Sequence, residues 1–274
     1  MQLKTSKQIR AMTECSIMVA LTTVLSLIKI IDMPYGGSVT VASMLPVLLI
    51  AYRYGVRWGV LCGSCYGLIQ QLLGLSTLSY FTTWQSIVAV IVLDYVVAFS
   101  VIGLGGLFRT LSCRQQTKLL CGALFASLLR YACHVISGAT VWAGLSIPTE
   151  AALAYSLGYN ATYMLPEAIV LGAVAYYLGS VLFFGAGDIR RMPNAGGGAR
   201  FDLSYTLAGL LVLLAVVFDT VMVFSRLQDP ETGAFTWQNL PAFSLASGFW
   251  LSLLLVTAFA VLAALVLARF RRRR

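Results

Sequence analysis

Charged side chains are scarce in this chain. Lys, Arg, Asp and Glu make up 11% of its 274 residues, where a soluble domain carries about a quarter. That deficit excludes a soluble globular enzyme and a disordered tail. There is one histidine and there are ten acidic residues, so no His-rich set exists to complete a zinc site and no metal is expected. No GxxxxGK[ST], His-Glu-x-x-His or Gly-x-Ser-x-Gly occurs, which removes the phosphate loop, the zincin helix and the nucleophile elbow. The paired broken helices and two similar halves of a secondary transporter are also missing. Active transport would therefore draw on an ion gradient or on other subunits.

Six cysteines (15, 62, 65, 113, 121 and 133) lie mostly inside apolar segments, where Cys behaves as a small hydrophobe. Cys62-x-x-Cys65 has no βαβ setting, so it reads as a pair of helix-packing residues, and a secreted disulfide scaffold is excluded. The first apolar run is too long for a secretory leader and ends at Asp32-Met33-Pro34 without a small-residue cleavage site, so no cleaved signal is expected.

What is abundant is apolar surface: 59% of residues are hydrophobic and the mean hydropathy is +0.85. Runs long enough to cross a bilayer recur along the chain. The expected architecture is an all-α integral membrane protein with spans near 11–31, 41–52, 58–75, 83–108, 118–145, 155–184, 203–224 and 243–269. The second run is too short to cross alone and forms a helical hairpin with the third, around a turn bracketed by Arg53 and Arg57. Residues 185–202, rich in Gly with Pro and charge, read as a cytoplasmic linker. They divide a six-helix unit, 1–184, from two further helices in 203–274.

The net charge of +9 is dispersed between apolar runs, without a basic domain to hold a duplex, so no nucleic-acid partner is expected. Placing the N-terminus inside puts sixteen of the nineteen basic residues on the cytoplasmic side. The opposite loops then carry Asp32, Glu150, Asp229 and Glu231, with Arg226 the basic residue clearly outside. The positive-inside rule thus sets a multi-pass plasma-membrane topology with both termini cytoplasmic. The terminal Arg271 to Arg274 read as a stop-transfer and lipid anchor.

In that topology, polar and aromatic residues converge on the outer half of the bundle. Trp84 opens the fourth span, with Asp94 and Tyr95 near mid-membrane. His134, Gly138 and Trp142 repeat at i, i+4, i+8 along the fifth. Tyr155, Tyr159, Asn160 and Tyr163 share a sector of the sixth. The convergence predicts an outward-opening pocket. A mid-membrane carboxylate is costly and either pairs with a cation or lines a polar cavity. Arg130, one turn deeper than His134 on the same face, is the competing partner for Asp94. A lone Asp among Trp84, Trp142, Tyr95 and Tyr155 suits a flat aromatic cation, and Gly138 leaves room for it against the backbone. The tyrosines have an alternative reading as an interfacial belt, and His134 one as a hydrogen-bonded core residue.

Gly55, Gly59, Gly63 and Gly67 form a ridge at every fourth position for close helix packing. Ser16 and Ala20 make another small-xxx-small pair, suited either to the bundle interior, which sequence alone favours, or to a partner. Glu167 and Asp219 read as interhelical hydrogen-bonding groups.

Four segments, Met33-Pro34-Tyr35-Gly36-Gly37-Ser38-Val39, Leu93-Asp94-Tyr95-Val96-Val97-Ala98-Phe99, Leu129-Arg130-Tyr131-Ala132-Cys133-His134-Val135-Ile136-Ser137-Gly138 and Tyr155-Ser156-Leu157-Gly158-Tyr159-Asn160-Ala161-Thr162-Tyr163-Met164, resemble the signatures of the thiamine-specific substrate-binding (S) components of energy-coupling factor transporters. The resemblance runs over residues 1 to about 184. It implies a six-helix S-component bundle that binds thiamine from outside with high affinity and carries no cofactor. The family's binding residues then fall on Trp84, Asp94, Tyr95, His134, Gly138, Trp142, Tyr155 and Asn160. Its docking motif falls on Ser16 and Ala20, and the implied partners are an EcfT-type transmembrane coupling subunit and two cytoplasmic ATPases. Two positions depart from the pattern. Gly37 stands where some members carry an aromatic lid residue, with Tyr35 nearby, and Asp94 stands where some carry Glu, one methylene longer. The last two spans lie outside the resemblance. The competing functional readings are an S component for another vitamin or a thiamine precursor, an intramembrane enzyme using Asp94 and His134 as an acid/base pair, and a purely structural scaffold.

Overall fold

Breaks in the apolar runs set where the helices end. The computed structural model describes residues 2–33, 36–142, 152–185, 188–192, 211, 215, 218–219 and 248–271. Tyr35, Glu150, Arg226, Asp229, Glu231 and nearly all of the expected seventh span lie outside the described residues.

Helix α1 covers Gln2–Leu27, four residues short of the expected end at Ile31. The isoleucines that follow favour extended backbone. Strand β1 (Lys29–Asp32) pairs antiparallel with β2 (Ser38–Thr40), with Ile31 opposite Val39 and Asp32 opposite Ser38. Gly36 and Gly37 carry the turn at φ 95° and 92°, in the left-handed region where a side chain is disfavoured. The apolar run that reads as one long span is thus a helix plus half of a hairpin.

Helix α2 (Leu45–Tyr54) starts with Pro46 in its first turn, where the missing N–H costs nothing. It stops at Gly55, whose φ of 101° reverses the chain into α3 (Val56–Leu73). Gly55 therefore makes the expected hairpin turn and does not belong to the packing ridge. The other three glycines do. A Cβ on Gly59 would lie 2.3 Å from Ala51 Cβ, one on Gly63 2.3 Å from the Phe99 carbonyl oxygen, and one on Gly67 2.4 Å from that of Tyr95. Backbone meets backbone along this seam, the close approach that small residues permit in an apolar solvent.

Helix α4 runs through Trp84–Thr110, its N-terminus capped by Thr83. Its centre, Ile91–Val97, winds as a π-helix and its end, Val101–Thr110, as a 3-10 helix. A π turn inside a longer helix is unusual and often marks a functional position; here it carries Asp94. Helices α5 (Gln115–Thr140) and α6 (Ala152–Val181) form the largest pairwise interface of the bundle. Beyond α6, strands β3 (Leu182–Phe183) and β4 (Arg190–Arg191) pair antiparallel, so the expected sixth span ends as strand and pairs with Arg190–Arg191 of the expected linker.

On α1, Ala11, Cys15, Thr22 and Ser26 are buried, on the side that packs against α2 and α3. Ser16 and Ala20 are exposed, which removes the bundle-interior reading of that pair. Polar contacts fasten the buried side: Glu14 pairs with Arg53 at 3.0 Å, and the Thr22 hydroxyl donates to the Ser43 carbonyl. Arg53, expected at a loop, has a fully buried side chain. Arg10 bridges Glu14 at 3.0 Å and Asp188 at 2.6 Å.

Residues up to Pro193 form one compact unit and Asn194–Arg274 another. In the second, α7 (Phe249–Arg271) is described, and Thr257 donates to Asp219, so Asp219 is the hydrogen-bonding group expected. Five helices of the described chain are long and apolar enough to cross a membrane: α4, α5, α6, and parts of α1 (Gln8–Leu27) and α7 (Phe249–Val266).

Gly63→Val is expected to destabilise the bundle by about 1–3 kcal/mol, because the nearest atoms, of Phe99 and Ser100, are backbone and cannot move aside cheaply. Thermal unfolding in detergent measures this, with Leu68→Val on an exposed position as the neutral control.

Candidate ligand-binding site

Asp94 is the organising residue of a cavity of about 600 Å³, within the range of small-molecule sites. Its carboxylate sits on the π turn of α4 and is met by donors from α5 and the residues just past it. His134 Nδ1–H donates to Oδ1 at 2.9 Å. Ser137 Oγ at 2.6 Å and Trp142 Nε1 at 3.1 Å both donate to Oδ2. The i, i+3, i+8 spacing of these donors places them along one side of the helix. The charge is thus satisfied by protein groups, as a carboxylate in an apolar bundle requires. This assignment of Nδ1–H leaves His134 Nε2 buried without a hydrogen-bond partner among the described residues. In the neutral ring that nitrogen is an acceptor, and in the protonated ring a donor.

Trp142 is anchored by its N–H and held from the side by Phe81, edge-on at 4.7 Å between ring centroids. Tyr95, next to Asp94, lies nearly parallel to Phe99, with ring centroids 6.5 Å apart. Helix α6 supplies the opposite polar wall. Asn160 Nδ2 donates to the Ser156 carbonyl at 2.9 Å and to the His134 carbonyl at 3.3 Å, and Tyr163 OH donates to Asn160 Oδ1 at 2.6 Å. Tyr155 and Tyr159 stack, 6.1 Å apart and 7° from parallel. Tyr159 OH then donates to the Gly36 carbonyl at 2.7 Å, which ties the β1–β2 turn to the cavity wall. A Cβ on Gly37 would come within 2.7 Å of the Tyr163 ring, so the turn rests on that tyrosine by its bare backbone.

A second buried polar group lies along the same cavity. Arg130 pairs with Glu167 at 3.5 Å and lies over the Phe99 ring at 4.4 Å. Glu167 also accepts from Thr40 at 2.9 Å and from Ser43 at 3.4 Å. The competing Asp94–Arg130 bridge is therefore not formed: Glu167 takes the cation, and Asp94 is left to His134, Ser137 and Trp142.

Of the residues expected at the site, Asp94, Tyr95, His134, Gly138, Trp142, Tyr155 and Asn160 line this one cavity. Trp84 does not. It is 70% exposed at the start of α4 and outside the lining, because ten residues of helix separate it from Asp94. Gly138 has a role other than the one expected. A Cβ there would meet Ser156 Oγ at 2.1 Å, so the space beside it is filled by α6. Ser137, Ser156 and the pairing of Arg130 with Glu167 escaped notice in the sequence, whereas Tyr163 was placed in the pocket sector. Ser and Thr give no periodic signal, although the i+3 spacing of Ser137 from His134 was visible.

The family model described as Thiamine transporter protein (Thia_YuaJ) matches residues 12–183. The chain belongs to this thiamine transporter family. The protein called Thiamine transporter ThiT in Bacillus subtilis (strain 168) is 36% identical over 180 residues, which cover 62% of this chain and 90% of that one. A solved structure of ThiT from Listeria monocytogenes is similar with a TM-score of 0.52 at 24% identity, covering 63% of this chain and 94% of that one. That second likeness bears on the fold alone. The chain is accordingly a predominantly helical, multi-pass membrane protein and a transport component. It is not an enzyme, and the acid/base reading of Asp94 and His134 is set aside.

Glu167→Gln is expected to destabilise the protein by about 3 kcal/mol, since it strands the buried Arg130 charge. The double change Glu167→Gln with Arg130→Met should cost less than the sum of the single changes. Unfolding midpoints of the three variants in detergent test this coupling.

Proposed function

We propose that this chain is the high-affinity thiamine-binding S component of an ATP-driven energy-coupling factor uptake transporter. The observation that carries the reading is one cavity lined by a part-buried carboxylate, the imidazole that holds it and an aromatic wall, in a member of a family of thiamine transporters. Thiamine joins an aminopyrimidine to a cationic thiazolium. A desolvated cation gains from both a carboxylate and ring faces, and planar rings gain from stacking on Trp142 and the tyrosines. Asp94 supplies charge and hydrogen bonding, and His134 lines the cavity beside it. Tyr95, Tyr155 and Asn160 complete the wall, with Gly138 contributing through the close approach of α5 and α6.

In this reading the energy for uptake comes from two cytoplasmic ATPases through an EcfT-type coupling subunit. Ser16 and Ala20, on the exposed side of α1, provide the docking surface, where small residues let a partner helix approach closely. Both termini face the cytoplasm. The binding unit comprises residues 1–184, joined by the linker 185–202 to the two-helix extension 203–274.

Thiamine added to the detergent-purified chain is expected to quench tryptophan fluorescence saturably at submicromolar concentration. Trp142→Phe should diminish the signal, and Asp94→Asn should weaken binding by about tenfold or more. Unchanged affinity in Asp94→Asn would count against the role given to the carboxylate. Separately, Ser16→Leu with Ala20→Leu should leave thiamine binding intact while abolishing co-purification with the coupling subunit and ATPases; retained assembly would remove the docking role.

A further inference from the structure

Tyr80 projects from a 3-10 segment, Leu75–Tyr80, that links α3 to α4 and contains no buried residue. Its side chain is not simply a surface aromatic. Tyr80 is 47% exposed, yet it lines the same cavity as Asp94 and Trp142. Its ring centroid lies 6.0 Å from that of Trp142 at a tilt of 51°. Phe81, the next residue, packs on the same indole but is buried and stays out of the cavity lining. Trp142 is therefore backed by Phe81, while the ring it meets on the cavity side is Tyr80.

The position of this segment is tied to the charged centre. Gly74, which ends α3, leaves its side-chain space to the Tyr95 hydroxyl, 2.7 Å from where a Cβ would stand, and Tyr95 OH reaches Thr77 Oγ1 at 3.5 Å. The segment is thus pinned at one end beside Asp94 and left uncovered at the other. A segment with no buried side chains has little to hold it against small displacements. At the opposite rim, Gly36 and Gly37 offer only backbone. Trp84, the aromatic before Asp94 that the sequence nominates, is exposed and outside the cavity lining.

We propose that Tyr80 is a ligand-binding residue of this cavity: its ring, set beside Trp142, presents an aromatic surface to a flat aromatic cation bound there. Beside two aromatic rings and a carboxylate, such a ligand gains cation–π attraction from the ring it meets. The inference rests on the thiamine reading of the site and adds to it a residue that meets the ligand. Tyr80 contributes through its aromatic face, so its effect lies chiefly in how slowly the ligand leaves.

The test is calorimetric titration of the full-length chain in detergent with thiamine, joined to stopped-flow dissociation followed by tryptophan fluorescence. Tyr80→Ala and Tyr80→Leu are expected to weaken binding about tenfold, mainly through faster dissociation. Tyr80→Phe and Trp84→Ala should stay within about twofold of the parent chain. Affinity retained in Tyr80→Leu, or lost equally in Trp84→Ala, overturns the proposal while leaving the thiamine reading in place. Absence of thiamine binding by the unaltered chain overturns that reading and this inference with it.

Discussion

A carboxylate largely withdrawn into an apolar bundle must find donors, and the way Asp94 finds them shapes the rest of the site. Its two oxygens take hydrogen bonds from His134, Ser137 and Trp142, which locks α4 to α5. Orienting the imidazole through Nδ1 leaves Nε2 buried without a hydrogen-bond partner among the described residues. Anchoring the indole through its N–H turns Trp142 into a fixed wall. One charge therefore sets the direction of two other side chains, and preorganisation of this kind reduces the ordering cost on binding.

The second constraint is that Asp94 and Glu167 do not share a cation. Arg130 goes to Glu167, where Thr40 and Ser43 complete the coordination of the carboxylate. Because Ser43 also receives Thr22 of α1, this cluster joins the cavity to the helix whose outer side carries Ser16 and Ala20. The polar contacts of α1 are few and specific, as they must be where water is absent to satisfy strays. Close glycine seams provide the complementary, nondirectional part of the packing: α3 lies against α4 with backbone in contact, so small residues replace the hydrophobic drive that lipid cannot supply.

The membrane class, most helix positions and the candidate charged centre were legible in the sequence, because apolar length and the rarity of intramembrane charge are strong one-dimensional signals. Asp94, His134 and Trp142 stood out for that reason. What failed were inferences that depended on direction. Trp84 shares a helix with Asp94 but is exposed and outside the cavity lining, and the apolar run ending at Ile31 turned out to be helix followed by strand. Gly138 was read as space for a ligand, although a neighbouring helix fills that space.

By itself, then, the sequence determined that the chain lives in a membrane, where most helices of the described residues fall, and that one acid, one imidazole and several rings belong near one another. Hydropathy and helical period act along the chain and need no knowledge of neighbours. Tertiary structure alone decided which partner each buried charge takes, that Ser137 serves Asp94, and that Tyr80 and not Trp84 meets the Trp142 ring. Those outcomes depend on the π turn, the tilt of packed helices and the pairing of side chains far apart in sequence, and hydrogen bonds are settled by tenths of an ångström that spacing cannot encode.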